Sequence, residues 1–395
     1  MEIVLASAAR TPIGAFQGAL ASVSAPRLGA TAIAGAVGRA GLRPDQIDLV
    51  LMGQVLAAGA GQAPARQAAL SAGIPASVPT VTLNKMCGSG LEAIQQAARA
   101  VAVGDARIVV AGGMESMSNA PYLLPGARGG LRLGHGTVLD SVVHDGLWDV
   151  QSDAHMGTCA DACARDRGIA RETQDAFAVR SYRRAQAATR DGVAAHEIVP
   201  VEVTGRKGTV SVVDRDEGPD AVDVDRVASL RPAFGADGTV TAANASTIND
   251  GAAAVVVTSR EEADRLGLPV LAGIRGFGVH AREPEWFTLA PIDAMRSLFD
   301  RVGWAPGEVD RYEINEAFAV VTLAAMQAFD LDENRVDPLG GAVSLGHPIG
   351  ASGARIVVTL LNALRVADGR RGVAAICIGG GEALAAAVER DGATP

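Results

Sequence analysis

Three reactive side chains stand in glycine-rich turns of the sequence, namely Cys87, His347 and Cys377. Cys87 separates a predicted strand at 80–83 from a predicted helix. The free N–H groups at a helix N-terminus stabilise a thiolate, so we expect a nucleophile there. His347 also precedes a predicted helix, and an imidazole on such a turn can serve as an acid, a base or an oxyanion donor. The alternative is a buried structural cysteine and a loop histidine without a role.

Two of the candidate residues lie at predicted strand ends. Cys377 follows a buried apolar run at 373–376 and precedes three glycines, and Asn315 lies between a strand and a helix. Because ligands bind at the carboxyl ends of parallel strands, Cys377 is a candidate for the same site as Cys87. Asn315 has the alternative role of an ordinary helix N-cap.

An internal repeat positions these turns. Segments 40–50 and 302–312 share a helix that ends at glycine, a proline that blocks its continuation, and an acidic and apolar stretch that leads into a strand. At nearly the same offset, the small-residue turns at 87–90 and 349–353 each open an apolar helix. Two landmarks at one offset indicate a duplication. Two similar lobes would pack about a pseudo-twofold axis and bring the two cysteine turns together.

The pattern within each half predicts βαβ units. Helices are predicted over 91–103 and 354–364. Each leads through a charged turn into a buried strand that ends in glycines, at 108–113 and 373–381. Short apolar runs that alternate with helices favour an α/β fold with mainly parallel sheets.

The sequence changes character between the two halves. Loops rich in proline and glycine precede a charged helix predicted over 171–190, an extended segment at 199–213 and an acidic turn. Apolar residues recur at near-helical spacing in that helix, so an inserted domain is predicted rather than a disordered linker. A strand at 252–257 is expected to close the first lobe. The predicted organisation is an N-terminal lobe of residues 1–118 and 246–269, an inserted loop domain of residues 119–245, and a C-terminal lobe of residues 270–395.

Composition narrows the functional classes. The 395 residues carry a net charge of −9 with only two lysines, which argues against nucleic acid and anionic membranes as partners. The sequence contains no apolar run near the roughly 20 residues that span a bilayer, and its N-terminus lacks the basic head of a signal peptide. Four cysteines make no disulfide framework in a chain of this length, so we expect a reducing, cytoplasmic location.

Four segments together resemble the catalytic blocks of the thiolases, most closely those of the acetyl-CoA acetyltransferase type. In chain order, these blocks are residues 84–90, 315–319, 346–348 and 377–381. The likeness runs essentially end to end, and it includes residues 9–14, 53–55, 113–117 and 244–251. Four ordered blocks are highly specific for a family. The resemblance implies the thiolase fold, a five-layered αβαβα sandwich, in agreement with the duplicated βαβ lobes and the inserted loop domain.

The resemblance implies a role for each reactive group. Cys87 would accept the acyl group, His347 would activate it, and Cys377 would act as acid and base on the second substrate. Asn315 would hold a water that, with His347, lines one oxyanion hole. The N–H groups of Cys87 and Gly379 would form the other. The implied reaction is the reversible, ping-pong condensation of two acetyl-CoA to acetoacetyl-CoA and CoA.

The resemblance also implies that the inserted domain binds coenzyme A and helps to build a homotetramer, a dimer of dimers. Acetyl-CoA, acetoacetyl-CoA and CoA would be the small-molecule partners, without a metal or a redox cofactor. The implied substrate-binding residues are Ser246, His155, Leu147, Met156, Phe234, Phe318 and Arg226.

The sequence departs from the family pattern at three places. The arginine that the best-known members place over the adenine falls at Pro219, and Arg226 or Lys207 is a candidate replacement. The usual Asn-Gly-Gly before the histidine block begins with Leu339 instead. The methionine-glycine turn of the acyl pocket is replaced by residues 286–291, which begin with Trp-Phe. This bulkier wall predicts a preference for acetoacetyl-CoA.

Three alternative functions stay open. One is a 3-ketoacyl-CoA thiolase of broader or longer chain length, acting in β-oxidation. Another is a decarboxylating condensing enzyme, which would have a histidine in place of Cys377. The third is a non-catalytic acyl-CoA- or lipid-binding protein, which would lack one of the catalytic groups. A zinc site on one helix face is a further possibility, because His155, Cys159 and Cys163 recur every four residues, but no fourth ligand follows.

Overall fold

The structure is a computed structural model that describes residues 1–205 and 208–391. Lys207, one of the two candidate replacements for the adenine-contacting arginine, lies outside the described residues. The secondary structure follows the internal repeat, with two similar halves and an insertion within the first.

The N-terminal half alternates strands with helices. Helix α3 ends at Gly104, whose left-handed φ of 82° lets the chain turn at once into the next strand. The elements before the insertion are β1 (Ile3–Arg10), β2 (Gly14–Ala15), α1 (Ala25–Arg39), β3 (Leu49–Gly53), α2 (Pro64–Ser71), β4 (Thr80–Leu83), α3 (Ser89–Val103) and β5 (Ile108–Ser116).

The insertion contains short hairpins and two long helices. The second helix has the bounds that the sequence predicts, whereas the predicted extended segment 199–213 is an antiparallel hairpin. The domain boundaries at 118/119 and 245/246 stay a prediction. The elements of the insertion are β6 (Tyr122–Leu123), β7 (Leu139–Asp140), a π-helical turn (Val142–Leu147), β8 (Trp148–Asp149), β9 (Ala154–His155), α4 (Met156–Arg167), α5 (Arg171–Arg190), β10 (Val201–Thr204) and β11 (Val210–Val213).

The second half repeats the order of the first. After the insertion, β12 (Asn249–Ser259) and α6 (Arg260–Leu266) complete the N-terminal half. The C-terminal half consists of β13 (Ala272–Ala281), α7 (Ala290–Val302), β14 (Arg311–Ile314), α8 (Ala319–Phe329), α9 (Ala342–Leu345), α10 (Ile349–Val366), β15 (Arg371–Ile378) and β16 (Glu382–Glu389).

The strands form two matching sheets that meet edge to edge. The order is β4-β3-β5-β12-β1 in the first half and β13-β16-β15-β14 in the second. Val336 forms a parallel bridge to Tyr312 where the first half has β4. The β1–β13 junction has two residue pairs, Val4 with Gly273 and Leu5 with Ala272. The predicted duplication is therefore present strand for strand.

The prediction of mainly parallel sheets is wrong. Among the described strands, β3–β4, β3–β5 and β14–β15 are parallel, whereas β12 and β16 run antiparallel to both of their neighbours. In the second half, the turn at 379–381 joins β15 to β16 as a hairpin, which must be antiparallel. In the first half, the insertion occupies the same connection between β5 and β12. Because β5 and β12 are more than a hundred residues apart in the chain, the sequence around β12 does not show in which direction it pairs.

The helices cover both sheets and fill the space between them. Helices α1 and α2 pack on the outer face of the first sheet, and α7 lies on the outer face of the second with α8 beside it. Helices α3 and α10 contact each other and lie between the sheets. Strand β12 is buried along its whole length, with alternate side chains in the outer and the central core. These five layers confirm the predicted αβαβα sandwich.

Helix α10 begins at Ile349, five residues before the predicted start at 354. The small residues after Pro348 belong to its first turn, which the sequence pattern had assigned to a loop. Of the helices in the described part of the chain, α10 is the one with the length and apolar composition of a membrane span. It is 89% buried inside the fold, as expected for the central helix between two sheets.

Candidate active site

One cavity, of ≈ 220 Å³, collects most of the predicted site residues. It lies where turns from both halves meet the insertion. Asn315 and Arg226 are the two predicted residues that do not line it. Its lining includes Cys87, Leu147, His155, Met156, Phe234, Ser246, Phe318, His347, Cys377 and Gly379, together with Met117, Ile248, Phe287, Ala317 and Ile349.

Cys87 lies on the tight turn between β4 and α3, directly before the helix cap Gly88. Its neighbour Met86 has a φ of 45°, a left-handed conformation that is strained for a residue with a side chain. The N–H groups of Cys87 and Gly379 stabilise the thiolate, but burial outweighs them and raises the pKa of the thiol to about 11. Cys87 is therefore a thiol in the resting protein, and it needs a base to act as a nucleophile.

A second turn lies against the first. Residues 379–381 join β15 to β16, and Gly380 and Gly381 have φ values of 91° and 88°. A Cβ atom at Gly381 would lie 2.2 Å from the Arg282 carbonyl oxygen, so only glycine fits. An ion pair between Lys85 and Glu382 ties this turn to the Cys87 turn. The Gly379 N–H is thereby held close to the Cys87 sulfur.

His347 is buried and its ring is fixed by one hydroxyl. Its Nδ1 atom lies 2.6 Å from Ser352 Oγ, and the same oxygen lies 2.9 Å from the Pro348 carbonyl. Because a hydroxyl has one proton, both bonds form together only if Ser352 donates to Pro348 and accepts from a protonated Nδ1. Nε2 is then an unprotonated base, and it has no protein partner within the described chain. Burial, with the charge of Arg355, lowers the pKa of His347 to about 3, so the ring is neutral.

Cys377 lies one residue before the end of β15, as the sequence predicts, and it is 1% exposed. Burial raises the pKa of its thiol well above the ordinary value, and the nearby Cys87 adds to this effect. Both cysteines are thus thiols at neutral pH.

Asn315 does not line the cavity. It follows β14 and is 1% exposed, and its Oδ1 atom accepts a hydrogen bond from Arg355 at 3.2 Å. Its Nδ2 group has no acceptor in the described residues. The N-cap of α8 is Phe318, so the alternative role of Asn315 as a helix cap is wrong.

Aromatic and sulfur side chains form the cavity wall on the insertion side. The rings of His155 and Phe234 stack with centroids 4.6 Å apart, and Phe234 meets Phe318 edge to face at 6.3 Å. Gly157 permits this packing, because a Cβ atom there would lie 2.2 Å from the Phe234 ring. The backbone of Ser246 is fixed by a bond from its N–H to the Ala317 carbonyl at 3.0 Å.

A groove of ≈ 460 Å³ adjoins the cavity and shares Phe234 and residues 245–248 with it. Gly218 and Ala221, on either side of the Pro219 position, line this groove, whereas Arg226 does not. The side chain of Arg226 is exposed on a neighbouring 3₁₀ turn. The structure therefore places Arg226 in neither the cavity nor the groove, and its contact with coenzyme A stays a prediction.

Of the two bulky residues that begin the predicted pocket wall at 286–291, the structure places one in the cavity lining. Phe287 lines the cavity and packs edge to face against Phe318, with ring centroids 6.4 Å apart. Trp286 does not line it, because its ring packs against the core beneath α7 and α8. Two adjacent residues on a 3₁₀ turn face different directions, which their order alone does not reveal.

The zinc alternative fails on geometry. His155 Nδ1 caps α4 by accepting a hydrogen bond from the Gly157 N–H at 3.0 Å. Cys159 and Cys163 are buried in the core of the C-terminal half. Residues 1–205 and 208–391 contain no cluster of three or more histidine, cysteine or acidic side chains suited to a metal ion.

The sequence analysis missed three residues that hold the site together. Ser352 fixes the His347 ring, and Asn249 Oδ1 accepts the His347 N–H at 3.0 Å. Glu115 is fully buried and accepts hydrogen bonds from the N–H groups of Val55, Leu56 and Gly350. All three lie within motifs that the family likeness includes or adjoins, but the partners of Glu115, which lies near the end of β5, come from distant segments that its own motif does not indicate.

The fold, two α/β halves in five layers with a cavity between them, is that of an acyltransferase class of protein. Family models agree: "Thiolase, N-terminal domain" matches residues 3–261 and "Thiolase, C-terminal domain" matches residues 268–390. The chain belongs to the thiolase family. It is similar to the acetyl-CoA acetyltransferase of Cupriavidus necator, with 50% identity over 98% of this chain and 99% of the relative.

Other relatives carry the same kind of name. The acetyl-CoA acetyltransferase of Pseudomonas aeruginosa is 49% identical over 99% of this chain and 100% of its own length. The acetyl-CoA acetyltransferase 1 of Arabidopsis thaliana is 52% identical over 98% of this chain and 94% of its own length.

Proposed function

We propose that this chain is an acetyl-CoA C-acetyltransferase, which joins two acetyl-CoA into acetoacetyl-CoA and CoA, reversibly, through an acetyl-cysteine. The observation that carries the proposal is the convergence of Cys87, His347, Cys377 and the Gly379 N–H on one cavity. The full-length similarity to relatives named acetyl-CoA acetyltransferase supports the same reaction.

The first half-reaction acetylates Cys87. His347 Nε2 takes the thiol proton while the sulfur attacks the thioester carbon of the first acetyl-CoA. The new C–S bond forms at Cys87 as the bond to CoA breaks, and Cys377 gives its proton to the departing sulfur. Because the pKa of the Cys87 thiol is about 11, ionisation before attack is unfavourable, and proton transfer accompanies attack.

The second half-reaction forms the carbon–carbon bond. The Cys377 thiolate removes an α-proton from the second acetyl-CoA, and the resulting carbanion attacks the acetyl carbon on Cys87. The C–S bond breaks, and the imidazolium of His347 returns its proton to Cys87. Both thiols and the imidazole regain their resting states. Every step is a proton or acyl transfer without a change of oxidation state, so we propose that CoA thioesters are the only small molecules required.

Two oxyanion sites serve the two carbonyl groups. The N–H groups of Cys87 and Gly379 lie next to the Cys87 sulfur, so they are assigned to the oxygen of the acyl group bound there. The remaining pair, His347 and a water held by Asn315, is assigned to the thioester oxygen of the second acetyl-CoA. That oxygen carries the enolate charge, and a fixed donor beside it lowers the barrier to proton removal.

The cavity and the groove suit the two ends of coenzyme A. The apolar and aromatic wall formed by Leu147, Met156, Phe234 and Phe318 is assigned to the pantetheine arm. The adjoining groove is assigned to the nucleotide. Its described lining has no arginine or lysine, so nucleotide affinity depends on contacts other than a guanidinium.

The acyl end of the cavity supports a short-chain preference. Phe287 and Phe318 form one edge-to-face wall around a cavity of only ≈ 220 Å³. We propose that acetoacetyl-CoA is cleaved best. Thiolysis assays with 3-ketoacyl-CoA substrates of increasing chain length test this preference. Each methylene that fits the pocket contributes only about 1–3 kcal/mol of binding free energy, so several chain lengths have to be compared. A much higher kcat/KM for a chain of about ten carbons would favour the longer-chain thiolase instead.

The covalent intermediate is the direct test of the function. Incubation with acetyl-CoA is expected to add one acetyl group per chain, and peptide mapping is expected to place it on Cys87. The Cys87→Ala variant serves as the control and should take up no label. A label on Cys159 or Cys163 would overturn the assignment of the nucleophile. If no acetyl label formed and no thiolysis occurred, the alternative of a non-catalytic acyl-CoA- or lipid-binding protein would be favoured.

We also propose a homotetramer whose contacts include the insertion. The support is the hairpin of β6 and β7 with its loop, where large apolar side chains face solvent in one chain. These are Tyr122, Leu124, Leu131, Leu133 and Val138. Light scattering of the wild type and of a Leu131→Ser/Leu133→Ser variant tests whether this hairpin lies in an interface.

A further inference from the structure

Behind the cavity, a buried polar cluster contains one arginine that the proposed mechanism does not use. Arg355 lies in the middle of α10 and is 2% exposed. Its Nη1 group donates to Glu313 Oε2 at 3.1 Å, and its Nη2 group donates to Asn315 Oδ1 at 3.2 Å. Burying a guanidinium is costly, so the hydrogen bonds it makes must offset the loss of water.

The bond to Asn315 decides which way the carboxamide faces. A guanidinium has donors only, so it can bond a carboxamide only through the oxygen. The Nδ2 group of Asn315 is then turned away from Arg355, and no acceptor contacts it within the described chain. An amide plane is otherwise free to rotate by a half-turn, since this torsion is broad and roughly two-fold. Arg355 therefore keeps Asn315 as a hydrogen-bond donor toward its other side.

We propose that Arg355 is a positioning residue for the condensation half-reaction, holding the Asn315 carboxamide so that its amino group fixes the water that serves the thioester oxygen of the second acetyl-CoA. This inference rests on the proposed function and deepens it. Arg355 does not line the cavity, so its effect passes through Asn315. A rotated amide would present its oxygen to that water instead and take one of its protons, so the water would be a poorer hydrogen-bond donor to the enolate oxygen.

The same guanidinium acts on the histidine. Its charge also contributes to the low pKa of His347, but burial is the larger cause, so Nε2 stays available as a base without Arg355. Glu313 does not fully neutralise the charge of Arg355. Burial raises the pKa of the Glu313 carboxyl to about 8, although this carboxyl accepts a hydrogen bond from Arg355. When Arg355 is replaced, Glu313 can therefore take up a proton, and it need not remain as a buried, unpaired charge.

The experiment compares Arg355→Met with Arg355→Lys and with Glu313→Gln as the matched control. Glu313→Gln changes the other partner of Arg355 and leaves the bond to Asn315. We expect Arg355→Met to lower kcat for condensation and the exchange of acetyl α-protons with deuterated solvent by about 10- to 100-fold. KM for acetyl-CoA should change by less than about 3-fold, and acetyl labelling of Cys87 should stay close to the wild-type extent. Arg355→Lys should recover part of the loss, and Glu313→Gln should stay near wild type.

A double-mutant cycle separates positioning from general damage. If Arg355 acts through Asn315, adding Arg355→Met to Asn315→Ala should cost little beyond Asn315→Ala alone. Additive losses, an equal loss of Cys87 labelling, or an unchanged α-proton exchange rate in Arg355→Met would each overturn the inference. If Arg355→Met alone does not fold, the Glu313→Gln/Arg355→Met pair replaces it, since it also removes the carboxyl group that pairs with Arg355. Wild-type labelling of Cys87 is measured alongside: its absence would refute the proposed function, whereas its presence with a fully active Arg355→Met refutes the inference alone.

Discussion

The Nδ1 atom of His347 lies 2.6 Å from the Ser352 hydroxyl, which belongs to the first turn of the helix that follows the histidine. The helix thus supplies both the position of the imidazole and its proton arrangement. Because Ser352 also donates to the Pro348 carbonyl, Nε2 is left as the base. The proposed catalytic base and the group that sets its tautomer are therefore five residues apart in the chain.

The first prediction concerns this contact. Ser352→Ala should lower kcat/KM by about 10- to 100-fold, part of the 10²–10⁴-fold that a positioned base contributes, since the imidazole loses the bond that fixes its tautomer. Thr359→Ala is the matched control, because Thr359 is another buried hydroxyl two turns along the same helix, bonded to Glu197. Steady-state kinetics in which both variants lose activity equally would assign the Ser352 effect to packing.

The second prediction separates the two thiols. Cys87→Ala should abolish both acetyl labelling and turnover. Cys377→Ala should still acquire some acetyl label but lose about 10²–10⁴-fold in overall rate, because its thiolate is the base for the α-proton. Deuterium exchange into acetyl-CoA, followed by mass spectrometry, should be lost as well. Near-normal thiolysis by Cys377→Ala would reduce that residue to a core cysteine.

The third prediction follows from two pKa values in the free protein. Burial raises the pKa of the Cys87 thiol to about 11 and lowers that of His347 to about 3. The pair is therefore thiol and neutral imidazole at pH 7, and the thiolate fraction rises about tenfold per pH unit up to the thiol pKa. The rate of Cys87 alkylation by iodoacetamide should rise with that slope from pH 7 to 9. A rate already level at pH 7 would mean a preformed thiolate–imidazolium pair.

The fourth prediction concerns the contact between β5 and the start of α10. A Cβ atom at Gly113 would lie 1.9 Å from the Gly350 carbonyl oxygen, so Gly113→Ala would push the helix away from the strand. Overpacking of this kind costs about 1–3 kcal/mol of unfolding free energy, and the shift would also move His347. The control is Gly38→Ala, an exposed helical glycine with open space around its Cβ position, which should be neutral or gain up to about 1 kcal/mol. Urea unfolding of both variants gives the comparison.

Sequence patterns were enough to predict the repeat, the elements on either side of each reactive residue and the list of reactive groups. Local rules were sufficient there: glycine and proline end helices, apolar periodicity marks buried faces, and Cys87 and Cys377 lie next to glycines, one before a helix and one at the end of a strand. The bounds of α5 and the five layers agree with that analysis. Family resemblance supplied the individual roles, which periodicity and spacing do not contain.

Tertiary structure alone decided strand direction, ring orientation and charge state. Strand β12 pairs with β5 across the insertion, so its direction depends on a contact between distant segments. Phe287 faces the cavity and Trp286 the core, although they are neighbours in the chain. The Cys87 pKa rises because surrounding atoms from both halves remove water, and this outweighs the local helix end. Desolvation and long-range hydrogen bonds such as that of Arg355 to Asn315 exist only once the halves have packed, so the sequence pattern around each residue does not show them.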